Sequence, residues 1–378
     1  MPNETPASDD DTPDAKTARR QVTLMDVARA AGVSRTTVSN AFNRPDQLSS
    51  ALRDQVLSTA AAIGYAGPNP LARMLRTGRA GAIGMIFPGP LAHAFTDPAS
   101  VAFLTGVAEG CDRNDVGLLF LPAENDSALG SVGQAAVDAF IVHCMAAGAG
   151  MLNAVLDRGL PTLAVDVPNA ELPDHVSSVA IDDRGGAAMA ARHVLSLGHR
   201  AIGILSLELL ADGRTGPVDI ARQRRATYGV SAARLDGYLT TIEREGLPAS
   251  VVGIEETDVT DDDGSRAAIE RLLSASPRPT AILAMSDVLA MLTLDVARSM
   301  NIRVPDDLSV VGFDDIPAAA LTTPPLTTVH QPLREKGLIA VANLLKTDNG
   351  PSRTALPSRT ALEVELRTRQ STARPPNP

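Results

Sequence analysis

From Val22 the chain carries apolar residues at three- and four-residue spacing. Leu24, Val27, Ala28 and Ala31 share one helical stripe, Thr23 can cap it with Asp26 at its third position, and Gly32 ends it. Ser34 caps a second segment, RTTVSNAF, whose Val38, Ala41 and Phe42 form the inward stripe while Arg35, Thr36, Ser39 and Asn40 project elsewhere. Ser49 or Ser50 opens a third, with Leu52, Val56, Ala60 and Ile63 inward, closing at Gly64. Three short helices with a glycine turn between the first two make a helix-turn-helix plan.

GYAGPNPLARMLRTGRAG, rich in Gly and Pro, reads as a linker. Asn69 followed by Pro70 is also a cap and first-turn pair, so a short helix over LARML forms when supported. From Ala82 the pattern changes to apolar runs, AIGMIF, GLLFL, AFIVH, TLAV, SVAI, AIGIL, VVGI, AILAM and LSVVGF. Between them lie helical stretches over 100–114, 184–197, 231–246, 264–275, 287–300 and 332–346. Near-continuous apolar strands alternating with helices predict parallel sheets covered on both faces. So long a stretch exceeds one sheet's usual size and predicts an α/β core of two doubly wound lobes with a ligand crevice between them.

The expected organisation is a disordered acidic tail over 1–20, a head over 21–66, a hinge over 67–80, a two-lobed core over 81–370 and a disordered tail over 371–378. At 378 residues more than one domain is required, and no run approaches the roughly 20 apolar residues of a membrane helix. The start, MPNETPASDDDTPDAK, lacks the apolar region of a secretory leader, so a cytoplasmic location is expected. Cys111 and Cys144 exclude a disulfide framework and are too few for a Cys-based zinc cluster; the six histidines lack metal-ligand spacing.

The net charge of −10 conceals a segregation of sign. Residues 1–15 carry five acids and no base; residues 16–79 carry ten bases against three acids, a net +7, which leaves the remainder at −12. A basic module ahead of an acidic body suggests a polyanion-binding head.

VTLMDVARAAGVSRTTVSNAFN, PNPLARML, HVLSLGHRAIGIL, RLDGY, SDVLA, VPDDLSVVGFDD and LTTPPLTTVHQP occur in this order. Together they resemble the lactose-repressor (LacI/GalR) family of bacterial transcriptional regulators over roughly residues 22–370. The resemblance implies a homodimer in which each chain has a DNA-binding head, a hinge helix and a periplasmic-binding-protein-like core that senses a small molecule, with no cofactor.

A recognition helix reads the major groove, where Arg matches guanine and Asn matches adenine. Arg35, Thr36 and Asn40 are expected to share an exposed face, and the resemblance places the sequence-reading positions on them. Many members carry Arg where Asn40 stands. Thr23, Ser34, Thr37 and Ser39 offer hydroxyls for phosphate contacts or for helix capping; Ser34 reads first as a cap, which does not exclude a phosphate. Asn69 belongs to the same DNA-facing set. Leu75 resembles the family leucine that wedges into a central base step of a pseudo-palindromic operator, although a leucine in LARML is also ordinary helix packing.

At the carboxyl ends of core strands stand His143, Asp166, Ser286, Asp287 and Asp314, and Arg234 is expected to open the helix RLDGY. Asp314 and Arg234 make an acceptor and donor pair suited to a polyol or heterocycle. The resemblance implies contacts to the small molecule at both and, more loosely, at His143, Asp166, Ser286 and Gln331. Asp287 reads as a helix N-cap and Asp315 as structural. The basic loop holding Arg222, Arg224 and Arg225 reads as a solvated charge run, with contact to an anionic ligand as its alternative.

The expected function is therefore a DNA-binding regulator, a repressor in most such families, controlled by a sugar or related metabolite. Its alternatives are a solute-binding protein without a DNA role and an α/β enzyme. No G-x-S-x-G elbow, P-loop or H-E-x-x-H motif is present to support the last, and no catalytic residue is expected.

Overall fold

The computed structural model describes residues 22–68, 70–123, 126–146, 148, 150–248, 252–258, 260–346 and 358–376. The expected tail over 1–20, Asn69 and the last two residues lie outside them. The chain divides into two compact units, Met1–Arg79 and Ala80–Pro378.

In the first unit, helices α1 (Leu24–Ala31), α2 (Arg35–Asn43) and α3 (Ser50–Ala62) enclose a small core of Val27, Ala28, Ala31, Val38, Ala41, Val56 and Ala60. The boundaries follow local chemistry. Thr23 and Asp26 form a reciprocal capping box, Gly32 ends α1 at φ +69°, Ser34 caps α2 and Ser49 caps α3. Phe42 and Tyr65 close the base of this core edge to face, their centroids 5.6 Å apart. Helix α4 (Pro70–Thr77) follows.

The second unit holds β1 (Ala82–Phe87), β2 (Gly117–Pro122), β3 (Ala139–His143), β4 (Thr162–Val165), β5 (Ser177–Ile181), β6 (Ile202–Ser206), β7 (Gly216–Pro217), β8 (Gly253–Glu256), β9 (Ala281–Ala284), β10 (Ser309–Asp314), β11 (Thr327–His330), β12 (Arg359–Leu362) and β13 (Glu365–Arg367). One sheet has the order β12-β5-β4-β3-β1-β2 and is parallel throughout. The other has the order β13-β11-β10-β9-β6-β8-β7, parallel except at its two edges. Each sheet is packed on both faces: Ile83, Met85 and Phe87 of β1 enter one cluster and Ile86 the opposite one. This accounts for the near-continuous apolar strands.

The chain passes between the lobes three times, from β5 into the helix Asp183–Ser196, from β11 into the helix Leu333–Lys346, and from β12 to β13. Each lobe also has a helix pair brought close by glycine. A Cβ on Gly106 would strike the Arg334 carbonyl oxygen and one on Gly337 the Phe103 carbonyl oxygen, so the helices Pro98–Asp112 and Leu333–Lys346 touch backbone to backbone. An isolated antiparallel bridge joins Ala146, after β3, to Tyr228, which caps the helix Gly229–Arg244 of the other lobe.

Two expectations are corrected. Residues 371–376 are not a disordered tail. Ser371 is fully buried, its hydroxyl donating to the Val310 carbonyl at 2.6 Å and accepting from the Thr327 amide at 2.8 Å, while the Ala373 carbonyl lies 2.8 Å from His199 Nε2. Strand β11 was not among the expected runs because its buried Thr327 and Thr328 read as polar.

Candidate functional site

In the head, Arg35 and Thr36 stand exposed at the start of α2. Asn40, expected on the same open face, is instead half-buried and donates from Nδ2 to Gln47 Oε1 at 3.3 Å. The hydroxyl residues are engaged locally. Thr23 donates to the Asp26 carboxylate at 2.7 Å, Ser34 accepts the Thr37 amide at 3.0 Å with the two hydroxyls 2.8 Å apart, and Ser39 accepts from Asn43. Capping leaves each hydroxyl oxygen a further lone pair. Arg29, Arg44 and Arg53 are exposed around them. On α4, Leu75 is 85% exposed.

In the core, the candidate residues converge where the lobes meet. Arg234 of the helix Gly229–Arg244 donates to Asp183 at 2.8 Å and to the Met285 carbonyl at 2.5 Å, lies 3.6 Å from Asp314, and places its guanidinium 3.6 Å above the Phe313 ring. Asp314 accepts from Gln331 Nε2 at 2.6 Å. Gln331 Oε1 in turn accepts from Lys336 Nζ at 2.7 Å, and Lys336 holds both oxygens of Asp166, at 2.9 and 2.7 Å. His143 Nε2 lies 3.7 Å from Asp166. A continuous polar chain thus runs from Asp183 in one lobe, through Gln331 on the second crossover, to His143 in the other.

The charges are tuned by burial. Desolvation pushes the Asp314 carboxyl up to about 7 even though Arg234 and Gln331 work against it. Asp287 behind it is pushed up to about 8 by burial and by Asp314. Burial also works against the Arg234 charge, but Asp183 and Asp314 outweigh it and raise that group further. His143 is drawn down to about 4 by burial, so its ring is neutral at neutral pH. It is sandwiched between Phe87 and Phe103, each with its centroid 4.7 Å from the imidazole, and its Nδ1 is buried without a hydrogen-bond partner. Backbone φ values of +53° at Asp166 and +113° at Asp314 turn both strand ends sharply at the site.

Three readings change. Arg234 lies one and a half turns inside its helix, because the helix begins at Gly229. Asp287 is not the N-cap: Ser286 caps that helix by accepting the Leu289 amide, while Asp287 accepts the Ile316 amide at 2.8 Å and the Thr328 hydroxyl at 2.5 Å. Arg222 is neither solvated nor free for an anion, since it is buried and forked between Glu256 and Asp212, pinning its loop to β8. Arg224 and Arg225 are exposed, and Asp315 is held by Arg369 and His330. Sequence reasoning missed Lys336, Asp183, Phe87 and Phe103. Among these Phe87, the last residue of one strand run, and Asp183, just past the end of another, carried a positional signal.

The described residues contain no helix long and apolar enough to cross a membrane and no cluster suited to a metal ion. Residues 23–69 match the model of bacterial regulatory proteins of the lacI family, and residues 191–372 match a periplasmic binding protein-like domain. The chain is 42% identical over 365 residues to an HTH-type transcriptional regulator of Mycobacterium tuberculosis, covering 95% of this chain and 99% of that one. A solved structure of a LacI-family transcriptional regulator from Corynebacterium glutamicum superposes with a TM-score of 0.71 at 34% identity, over 93% of this chain and 98% of the other. The complex of the transcriptional regulator CelR with cellobiose follows at 26% identity and a TM-score of 0.66, over 93% and 99%. Such relatives are regulators and not enzymes. A three-helix head ahead of a two-lobed core, with a buried cluster of charged side chains where the lobes meet, thus has its counterpart along nearly the full chain, which belongs to the LacI family of DNA-binding bacterial transcriptional regulators.

Proposed function

We propose that the protein is a homodimeric, cytoplasmic repressor that binds a pseudo-palindromic operator and is controlled by a sugar or related metabolite held between the core lobes. The observation that carries this reading is the polar chain from Asp183 to His143. It sets carboxylates, a guanidinium, an amide and an ammonium side by side on facing lobes, donors and acceptors of the kind that clasp a small polyhydroxylated ligand. Arg234, Asp314, Gln331, Asp166, His143 and Ser286, whose hydroxyl also caps the helix Asp287–Ser299, are the proposed contacts. The sugar bound by the CelR relative supports the ligand class.

At the head, Arg35, Thr36 and Asn40 read bases, and Thr23, Ser34, Thr37 and Ser39 meet phosphates. Asn69 and Leu75 act at the minor groove, where an apolar wedge exchanges unstacking for a bend. Ligand binding shifts the population between core states and thereby the ordering of α4, by no more than its differential affinity for them.

The test is a gel shift on a selected palindrome across salt concentrations, with and without ligands found by a thermal-shift screen of sugars and related metabolites. Specific retention that weakens with salt is expected. Asp314→Ala should retain it and lose the ligand response; an unchanged response at the same ligand concentration refutes the assignment of the crevice.

A further inference from the structure

We propose that Gly229 sets how closely the two core lobes approach, and that a side chain of any size at this position holds them apart. The inference rests on the reading of the lobe boundary as the ligand site and adds to it a positioning residue outside the polar chain.

Gly229 is the first residue of the helix Gly229–Arg244 in one lobe. Glycine is a poor helix former, and its backbone here is not left-handed, so the conformation itself fits any L residue. What forbids a side chain is Pro168 of the other lobe. A Cβ on Gly229 would overlap Pro168 Cγ and lie 2.6 Å from its Cδ, yet stay 3.7 Å from its Cβ. Beside this contact runs the isolated bridge between Ala146 and Tyr228.

Both sides of the contact are braced. In the lobe of Gly229, the Thr227 and Tyr228 amides donate to the Leu209 carbonyl at 2.7 and 3.2 Å, the Leu209 amide donates to Glu256 at 2.6 Å, and Arg222 grips Glu256. In the other, the Pro168 carbonyl accepts the Glu171 amide at 2.9 Å, and Val167 is buried in one cluster with Val142, Met145 and Leu172. A clash at position 229 is therefore relieved by parting the lobes. Pro168 closely follows Asp166 and Gly229 closely precedes Arg234, so parting them draws apart the two ends of the proposed ligand site.

Cys144 reports on this boundary. It follows His143, and burial first, then Asp166 and Asp183, push its thiol up to about 12. Cys111 is buried within one lobe and serves as the internal reference. The experiment is maleimide labelling of the full chain without ligand, each cysteine being followed by peptide mass. The thiolate is the reactive form, so wild-type Cys144 should label slowly. Gly229→Ala should speed labelling of Cys144 about tenfold, the gain in thiolate for a fall of one pH unit in its ionisation, and leave Cys111 protected. Pro168→Ala removes Cγ and Cδ, the atoms a new Cβ would strike. Alone it should label as the wild type does, and combined with Gly229→Ala it should restore the slow rate, a rescue that general destabilisation cannot produce. Four results overturn the proposal: wild-type Cys144 as reactive as a free thiol, an unchanged rate in Gly229→Ala, no rescue in the double variant, or equal acceleration at Cys111. Since no ligand enters, any of them leaves the ligand reading to the Asp314→Ala test.

Discussion

Lys336 gives its ammonium to both carboxylate oxygens of Asp166, 170 residues earlier in the chain, while its side chain is only 1% exposed. A buried cation is tolerable only with such partners, and removing one partner leaves the other charged in a dry site. Lys336→Met should therefore destabilise the core by about 3–5 kcal/mol in denaturant unfolding. Adding Asp166→Asn should recover part of that loss, because the stranded charge goes with it. If the double variant is no more stable than the single, the stranded-charge account fails.

The pH dependence of stability should carry the signature of buried carboxyls, Asp287 and Asp314 with Asp183, which burial raises in the same sense. In the unfolded chain Asp287 and Asp314 ionise near their ordinary 3.8, but in the folded chain they hold protons up to about 8 and about 7. Over that window the folded state binds more protons than the unfolded one, so stability falls as pH rises. His143, His193 and His199 act oppositely: burial lowers all three, so their contribution rises with pH and is complete by about pH 6.5. The decline should be unmasked between about pH 6.5 and 8. Melting temperatures across that range should fall for the wild type and flatten for Asp287→Asn; an equally steep fall in the variant would mean that other groups are responsible.

At the head, Arg35 is exposed at the first position of α2 and can reach a base edge. Arg35→Ala should relax discrimination at one base pair by about 1–3 kcal/mol and leave the fold untouched. Competition against single-base operator variants measures this, and an even loss across all variants would reassign Arg35 to the phosphates.

Leu75 offers a clean separation of stability from binding. Since 85% of it is exposed, Leu75→Ala should change unfolding free energy by no more than about 0.5 kcal/mol. Operator affinity should nevertheless drop tenfold or more, the equivalent of about 1.5–3 kcal/mol for burying a leucine side chain. Unaltered affinity would leave Leu75 as an ordinary surface residue.

The architecture was legible because its determinants are local. Thr23 with Asp26, and Gly32 at positive φ, announce the first head helix within ten residues, and β1 and β3 are apolar enough to stand out as buried strands. What stayed hidden depends on partners remote in sequence. Thr327 and Thr328 look like a loop until Ser371 and Asp287 satisfy them, and Ser371 looks like part of a frayed end until Val310 and Thr327 claim it. No periodicity marks Lys336 as a buried ion, because what keeps it there is Asp166. Where the lobes meet, Asp314, Asp166 and His143 could be found from their places at strand ends, whereas the aromatic sandwich of Phe87 and Phe103 about His143 exists only once the strands are assembled.

The third passage between the lobes bears on how the protein is made. Strands β12 and β13 supply one edge of each sheet, and they follow every other strand in the chain. As the polypeptide leaves the ribosome, neither half of the core can be completed before the other. Both wait for the stretch beyond residue 358, so a prematurely terminated product would carry a finished DNA-reading head on two open-edged sheets.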